Sequence, residues 1–173
     1  MNVLKDYTDL NPYQINENVF NLIDKKWMLI TAGAPEHFNM MTASWGGLGV
    51  LWNKPMVTIF IRPQRYTYKF VEETSSFNIS FFDKKYRSAL NFCGSKSGRD
   101  YDKAKETGLT PALSPKNIIT FEEAYLSFDC VKLYADNLQP NSFIDKTLID
   151  KIYPSQDFHR FFLGEIVGCY LKK

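Results

Sequence analysis

The chain has 173 residues, 45% of them hydrophobic and 23% charged, with a formal net charge of +2. This length buries roughly two-thirds of the unfolded surface, so one globular domain over residues 1–173 is expected, with no disulfide or metal needed to fold it. So small a charge, spread along the chain, excludes the clustered basic face of a nucleic-acid or membrane-surface protein, and without an apolar run of about 18 residues no segment is expected to cross a bilayer.

The N-terminal residues lack the basic and apolar regions of a secretory signal. "NENVFNLID" (16–24) predicts a short helix. "KWMLITAGA" (26–34) is apolar, short and broken by Gly and Pro, which predicts a strand. "FNMMTASWGG" (38–47) predicts a second strand, ended by a turn at Gly46-Gly47. "KPMVTIFIR" (54–62) predicts a third, with Pro55 at its start, where the missing N–H costs least. At Thr67, a candidate N-cap, "TYKFVEET" turns helical. "SFNISFF" (76–82) returns to strand, and "KKYRSALNFCG" (84–94) is helical with Gly94 as its stop. "RDYDKAKETG" (99–108) predicts a short polar helix closed by a glycine, and two long strands follow in 123–136 and 159–173. Strands and helices do not alternate regularly, so a doubly wound parallel sheet is excluded. The expectation is a mainly β fold with peripheral helices, an antiparallel barrel closed or split. Gly46, Gly47 and Gly49 follow a strand but open no helix, so they make no dinucleotide fingerprint.

Three stretches carry candidate chemistry. In "FIRPQRYTYKF" an apolar run ends at Arg62, Arg65 and Thr67 just before a helix. Arginine forks and a helix N-terminus together suit a phosphate dianion; the competing reading is two solvated arginines and a simple cap. In "GSKSGRD" (94–100) small residues allow close backbone approach, and Ser95, Lys96, Ser97 and Arg99 all donate; the competing reading is an exposed loop. In "NMMTASW" (39–45), Asn39, Thr42 and Ser44 interrupt an apolar strand. They are either its solvent face or, with Trp45, a wall for a planar ring. Aromatics make up 16% of the chain, which fits a β-rich core as well as a ring site. No G-x-S-x-G elbow or other side-chain nucleophile stands out. Two histidines, His37 and His159, leave little for a metal, and His159 either faces a ligand or caps a strand. The three cysteines, Cys93, Cys130 and Cys169, have no zinc or C-x-x-C spacing and read as reduced thiols of a cytosolic protein. For Cys93 a core thiol and a reactive one both remain open.

Taken in order, "KWMLITAG", "NMMTASWGGLGVLW", "KPMVTIFIRPQRYTYKFVEE", "FNISFF", "CGSKSGRDYDKAKETGLTP", "FEEAYLSFDCVKLY" and "HRFFLGEI" resemble the flavin reductase-like, FMN-binding split-barrel proteins that include flavoredoxin. The resemblance runs from about Asn18 to Gly168. It implies a split β-barrel, a cytoplasmic homodimer and FMN near the subunit interface. Arg62, Arg65 and Thr67, with Tyr66 beside them, would hold the FMN phosphate. Asn39, Met41, Thr42, Ala43 and Ser44 would run along the isoalloxazine, with Trp45 near the ring or ribityl chain. Ser95, Lys96 and Arg99 would complete the phosphate side, and His159 would pass near the flavin edge. The implied activity is an NAD(P)H-dependent flavin reductase that passes hydride to flavin N5. NAD(P)H would dock transiently on the ring, and no catalytic side chain would be needed. The alternative is a flavoredoxin-like electron carrier reduced by a protein partner; a split barrel that binds another ligand, such as haem, is a third reading.

Overall fold

The computed structural model describes residues 1–173. In chain order the strands are β1 (Asn2–Val3), β2 (Tyr7–Asp9), β3 (Met28–Ala34), β4 (His37–Ala43), β5 (Gly46–Leu51), β6 (Lys54–Ile61), β7 (Ser76–Phe81), β8 (Pro111–Leu113), β9 (Ile119–Phe121), β10 (Leu126–Asn137) and β11 (Arg160–Lys172). The α-helices are α1 (Tyr66–Glu73), α2 (Arg87–Ser95), α3 (Lys103–Thr107) and α4 (Thr147–Ile152), and a π turn covers Asn21–Lys26. The main sheet runs β4-β3-β7-β10-β11-β6-β5, with β2 added to β11, and all its pairings are antiparallel. A small second sheet, β1-β8-β9, contains the parallel pair β1–β8. The fold is therefore mainly antiparallel β with peripheral helices, as the sequence predicts.

The strand patterns follow from what covers each face. Along β11, Phe162, Gly164 and Ile166 alternate inward with less buried neighbours, the period of a half-buried strand. By contrast β3 is buried on both faces: Met28 and Ile30 join the main core with Phe77, Ile79 and Phe162, while Leu29 joins a second cluster with Met40, Leu90, Cys93 and Phe121 under α2. A strand covered on both sides has no polar face, which is why 28–32 reads as one apolar run. Gly164 is required by packing. A Cβ there would lie 2.7 Å from Cζ of Phe77 and 3.1 Å from Cβ of Cys130.

Several local expectations are corrected. Gly46 and Gly47 do not make a turn; they open β5, and the break lies at Ser44-Trp45. Gly46 is there because a Cβ would sit 2.6 Å from the Thr58 carbonyl oxygen. The next reversal, β5 to β6, is made by Trp52 (φ 53°) and Asn53 (φ 58°), both in the left-handed region that a two-residue hairpin demands. Thr67 is not the cap of α1. Arg65 holds that position, and Thr67 lies inside the helix, 1% exposed. Gly94 does not stop α2, which continues to Ser95. The polar helix begins only at Lys103, capped by Asp102, and Gly108 (φ 70°) closes it as predicted.

Candidate functional site

The end of β4 and the crossing from β6 to α1 meet at a cleft of about 250 Å³. Met41, Thr42, Ala43, Ser44 and Trp45 from the end of β4 and the break after it line it, together with Phe60, Arg62, Arg65 and His159. Beside it lies a smaller cleft of about 120 Å³, lined by Gln64, Arg65, Tyr66 and Thr67 from the start of α1, by Ser95, Lys96, Ser97 and Arg99 from the loop after α2, and by Lys103. Arg65 belongs to both. Together they fall within the ~300–1,000 Å³ range of small-molecule sites.

The smaller cleft is cationic. Arg65, Lys96, Arg99 and Lys103 line it and no carboxylate does. The Arg65 guanidinium is braced by an Nη2 bond to the Gly94 carbonyl oxygen at 2.8 Å. Burial pulls its pKa down, yet a guanidinium stays charged. The Arg99 guanidinium lies over the Tyr66 ring at 4.8 Å. No side chain caps α1, and the Tyr66 and Thr67 N–H groups have no backbone acceptor. A helix start with free N–H groups beside several cations is an anion site. The loop can lie this close only because residue 98 is glycine: a Cβ there would be 2.0 Å from Oδ1 of Asn39. Asn39 in turn donates from Nδ2 to Oγ1 of Thr67 at 2.8 Å, tying β4 to α1. Asn39 and Thr67 are thus mainly internal, 5% and 1% exposed.

Arg62 is placed differently from Arg65, the arginine with which the sequence reading groups it. Its guanidinium is ion-paired with Asp157, donates to the Ile152 carbonyl oxygen at 2.9 Å and lies over the Tyr153 ring. It lines the larger cleft only, and its charge is already matched. The Arg62 and Gln64 donors hold the Asp157 carboxyl below its ordinary pKa. Ser95 reaches the cationic cleft, but its hydroxyl donates back to the Asn91 carbonyl oxygen at 2.8 Å, leaving its lone pairs toward other partners.

His159 is 8% exposed. Its Nδ1 meets the Tyr153 hydroxyl at 2.9 Å, and its ring centroid is 5.3 Å from that of Trp45. Burial, with the Arg62 charge, lowers its pKa to about 4. The native state therefore binds fewer protons than the unfolded chain as pH falls from about 6.5, so His159 costs stability increasingly toward pH 4. The imidazole is expected to stay neutral from pH 8 to 5, which NMR titration of its ring protons checks. His37 lies on the β3–β4 hairpin against Phe70, at 4.8 Å, and lines neither cleft. Cys93 is fully buried, its thiol pushed up to about 11 by burial, which makes it an inert core thiol at neutral pH.

Lys103, Gln64 and Phe60 are lining residues that sequence reasoning missed, whereas Ser97, a candidate donor of the 94–100 stretch, does line the smaller cleft. Lys103 ends the "SGRDYDK" stretch and precedes the buried Ala104 on α3, a local signal that it points inward.

The described donor set matches two kinds of ligand group. The larger cleft, with Trp45, Phe60 and Met41 beside polar edges, suits a planar heteroaromatic ring; the smaller suits a phosphate. A sequence model of the family described as flavin reductase like domain matches residues 21–173. No curated protein matches the chain. Among solved structures, a flavoredoxin from Methanosarcina acetivorans is 24% identical, with 92% of this chain and 75% of that one covered and a TM-score of 0.66. An FMN-binding domain of a flavin reductases-like enzyme from Shewanella baltica is 16% identical, covering 98% and 79%, with a TM-score of 0.69. Nitrilotriacetate monooxygenase component B from Bacillus cereus is 18% identical, covering 96% and 82%, with a TM-score of 0.67. At these identities the structures speak to the fold.

Proposed function

Since the chain belongs to the flavin reductase like domain family, we propose that it is an FMN-binding oxidoreductase, an NAD(P)H-dependent flavin reductase acting as a single domain over residues 1–173. The observation that carries this reading is the carboxylate-free cationic cleft joined through Arg65 to one lined by Trp45, Phe60 and Met41 beside polar groups. The residues fit FMN. Arg65, Lys96, Arg99 and the free N–H groups of α1 would hold the phosphate, with Tyr66 and Thr67 forming the floor. Met41, Thr42, Ala43 and Ser44 would lie along the ring, and Trp45 and Phe60 would keep water from it. Bound there, FMN would supply two-electron redox chemistry at its ring. Around it the chain positions and polarises. Arg62, its charge matched by Asp157, would present fixed N–H donors to the polar edge of the ring. His159 lines the same cleft as a neutral group.

The test is an anaerobic titration of the FMN-loaded protein with NADH or NADPH. Loss of the flavin's visible absorption with pyridine nucleotide alone is the expected result. Bands that persist until a protein reductase is added would instead make the chain a flavoredoxin-like carrier. That second reading is favoured by one observation: Trp45 is half exposed at the ring cleft, and Val50, Leu51 and Trp52 are exposed at the tip of the adjoining hairpin, an apolar surface suited to a protein partner. The same surface supports a homodimer. No helix is long and apolar enough to cross a membrane; with three free cysteines, a cytoplasmic location is part of the proposal.

A further inference from the structure

Lys103 is unlike the other cations of the phosphate cleft. It is 4% exposed, and its Nζ donates to two carbonyl oxygens, those of Met40 and Cys93, each at 2.9 Å. No carboxylate pairs with it. Two acceptors are what a neutral amine can satisfy with its two N–H groups; the charged form has a third N–H, for which the free protein offers no acceptor. Lys103 also lines the cleft that Arg65 and Arg99 line, so an oxygen bound in that cleft is the acceptor nearest at hand for the third N–H.

Resting on the reading that this cleft takes the FMN phosphate, we propose that Lys103 is a further ligand of that phosphate, and that binding a dianion there draws a proton from solvent onto its amine. The surroundings support the step. Burial pulls the Lys103 pKa down from the usual lysine range to about 8; the Cys93 thiol opposes this and the Arg65 charge adds to it. The groups facing it are Cys93 from α2, Arg65 and Tyr66 from the start of α1, and Lys96 and Arg99 from the loop, with Glu36, His37, Tyr101 and Asp102 on a neighbouring cleft. None of their side chains accepts a hydrogen bond from the amine. A phosphate dianion supplies what is absent, an adjacent negative charge and an acceptor, and both favour the protonated form. The proton balance is simple: neutral amine plus dianion plus one proton from solvent gives an ammonium–phosphate pair.

The sign follows from linkage. Below pH 8 the amine is charged with or without ligand and contributes no slope. Above pH 8 it is neutral in the free protein and charged in the complex, so FMN affinity falls as pH rises, by up to about tenfold per pH unit. Riboflavin shares the ring and lacks the phosphate, so any ring ionisation cancels in the comparison.

Calorimetry on the full chain at pH 9, in two buffers of different protonation enthalpy, counts the protons. About one proton taken up per FMN, and none per riboflavin, is the expected result. FMN that binds more tightly than riboflavin with no proton uptake would overturn the role of Lys103 and leave the phosphate cleft standing. Equal affinity for the two flavins at every pH, or binding of neither, would overturn the phosphate reading itself and this inference with it. In Lys103→Met the preference for FMN over riboflavin should become smaller and flat above pH 8; a pH slope retained in that variant would also refute the proposal. The proton count on the unaltered protein decides the matter if that variant does not fold.

Discussion

Arg65→Ala is expected to weaken FMN binding by about ten- to a hundredfold while changing riboflavin binding far less. A hydrogen bond to a charged group contributes about 1.5–3 kcal/mol, and each ~1.4 kcal/mol is tenfold in affinity. Arg65 is the side chain shared by both clefts, and its brace on the Gly94 carbonyl fixes the fork before any ligand arrives, so little ordering is lost on binding. Arg62→Ala is the control. That guanidinium is tied to Asp157 and Ile152 and lines only the ring cleft, so its loss should affect FMN and riboflavin alike. Fluorescence titration of both flavins against both variants reads the difference. Equal losses for the two ligands in Arg65→Ala would move the phosphate elsewhere.

The largest effect on stability is expected at Phe77. Its ring is fully buried in the main core and covers Gly164 on β11. Phe77→Ala removes that ring and leaves a cavity, at a cost of about 3–5 kcal/mol, a large share of the ~5–15 kcal/mol of a typical domain. Gly164→Ala does the opposite: a methyl 2.7 Å from Cζ of Phe77 overpacks the core by about 1–3 kcal/mol. The double variant should lose less than the two single losses added, because the new methyl enters the space the ring leaves. Urea unfolding of the four proteins measures the coupling; strict additivity would mean that β7 and β11 are not in contact there.

The sequence was legible where burial imposes a pattern. The runs in β3, β6, β7, β10 and β11 are apolar because the sheet buries them, and their order excluded a doubly wound fold. What escaped lacks such a pattern. β5 turns at Trp52-Asn53, without the glycine that usually marks such a hairpin. β1, β2, β8 and β9 are two or three residues long, too short for any periodicity. α4 buries none of its residues, so nothing constrains its spacing. The site divides in the same way. The stretches around 39–45, 62–67 and 95–99 do come together, but sequence could not tell Arg62 from Arg65, since Asp157 and Ile152 decide where Arg62 points. Lys103 escaped because its character comes from the distant Met40 carbonyl and the burial around it.

β11 pairs with β10 along its length and, on its other side, with β6 and then β2. It is also the last strand in chain order. During synthesis, then, β6 and β10 exist as bare edges for as long as residues 160–172 are still being made. Open edges of this kind invite wrong partners, and pairings such as Thr8 with Leu171 span nearly the whole chain, which makes them slow to close. The nascent protein cannot complete its sheet strand by strand as it leaves the ribosome. It must wait, exposed, for the one segment that joins its two halves, and that interval is when it most needs a chaperone.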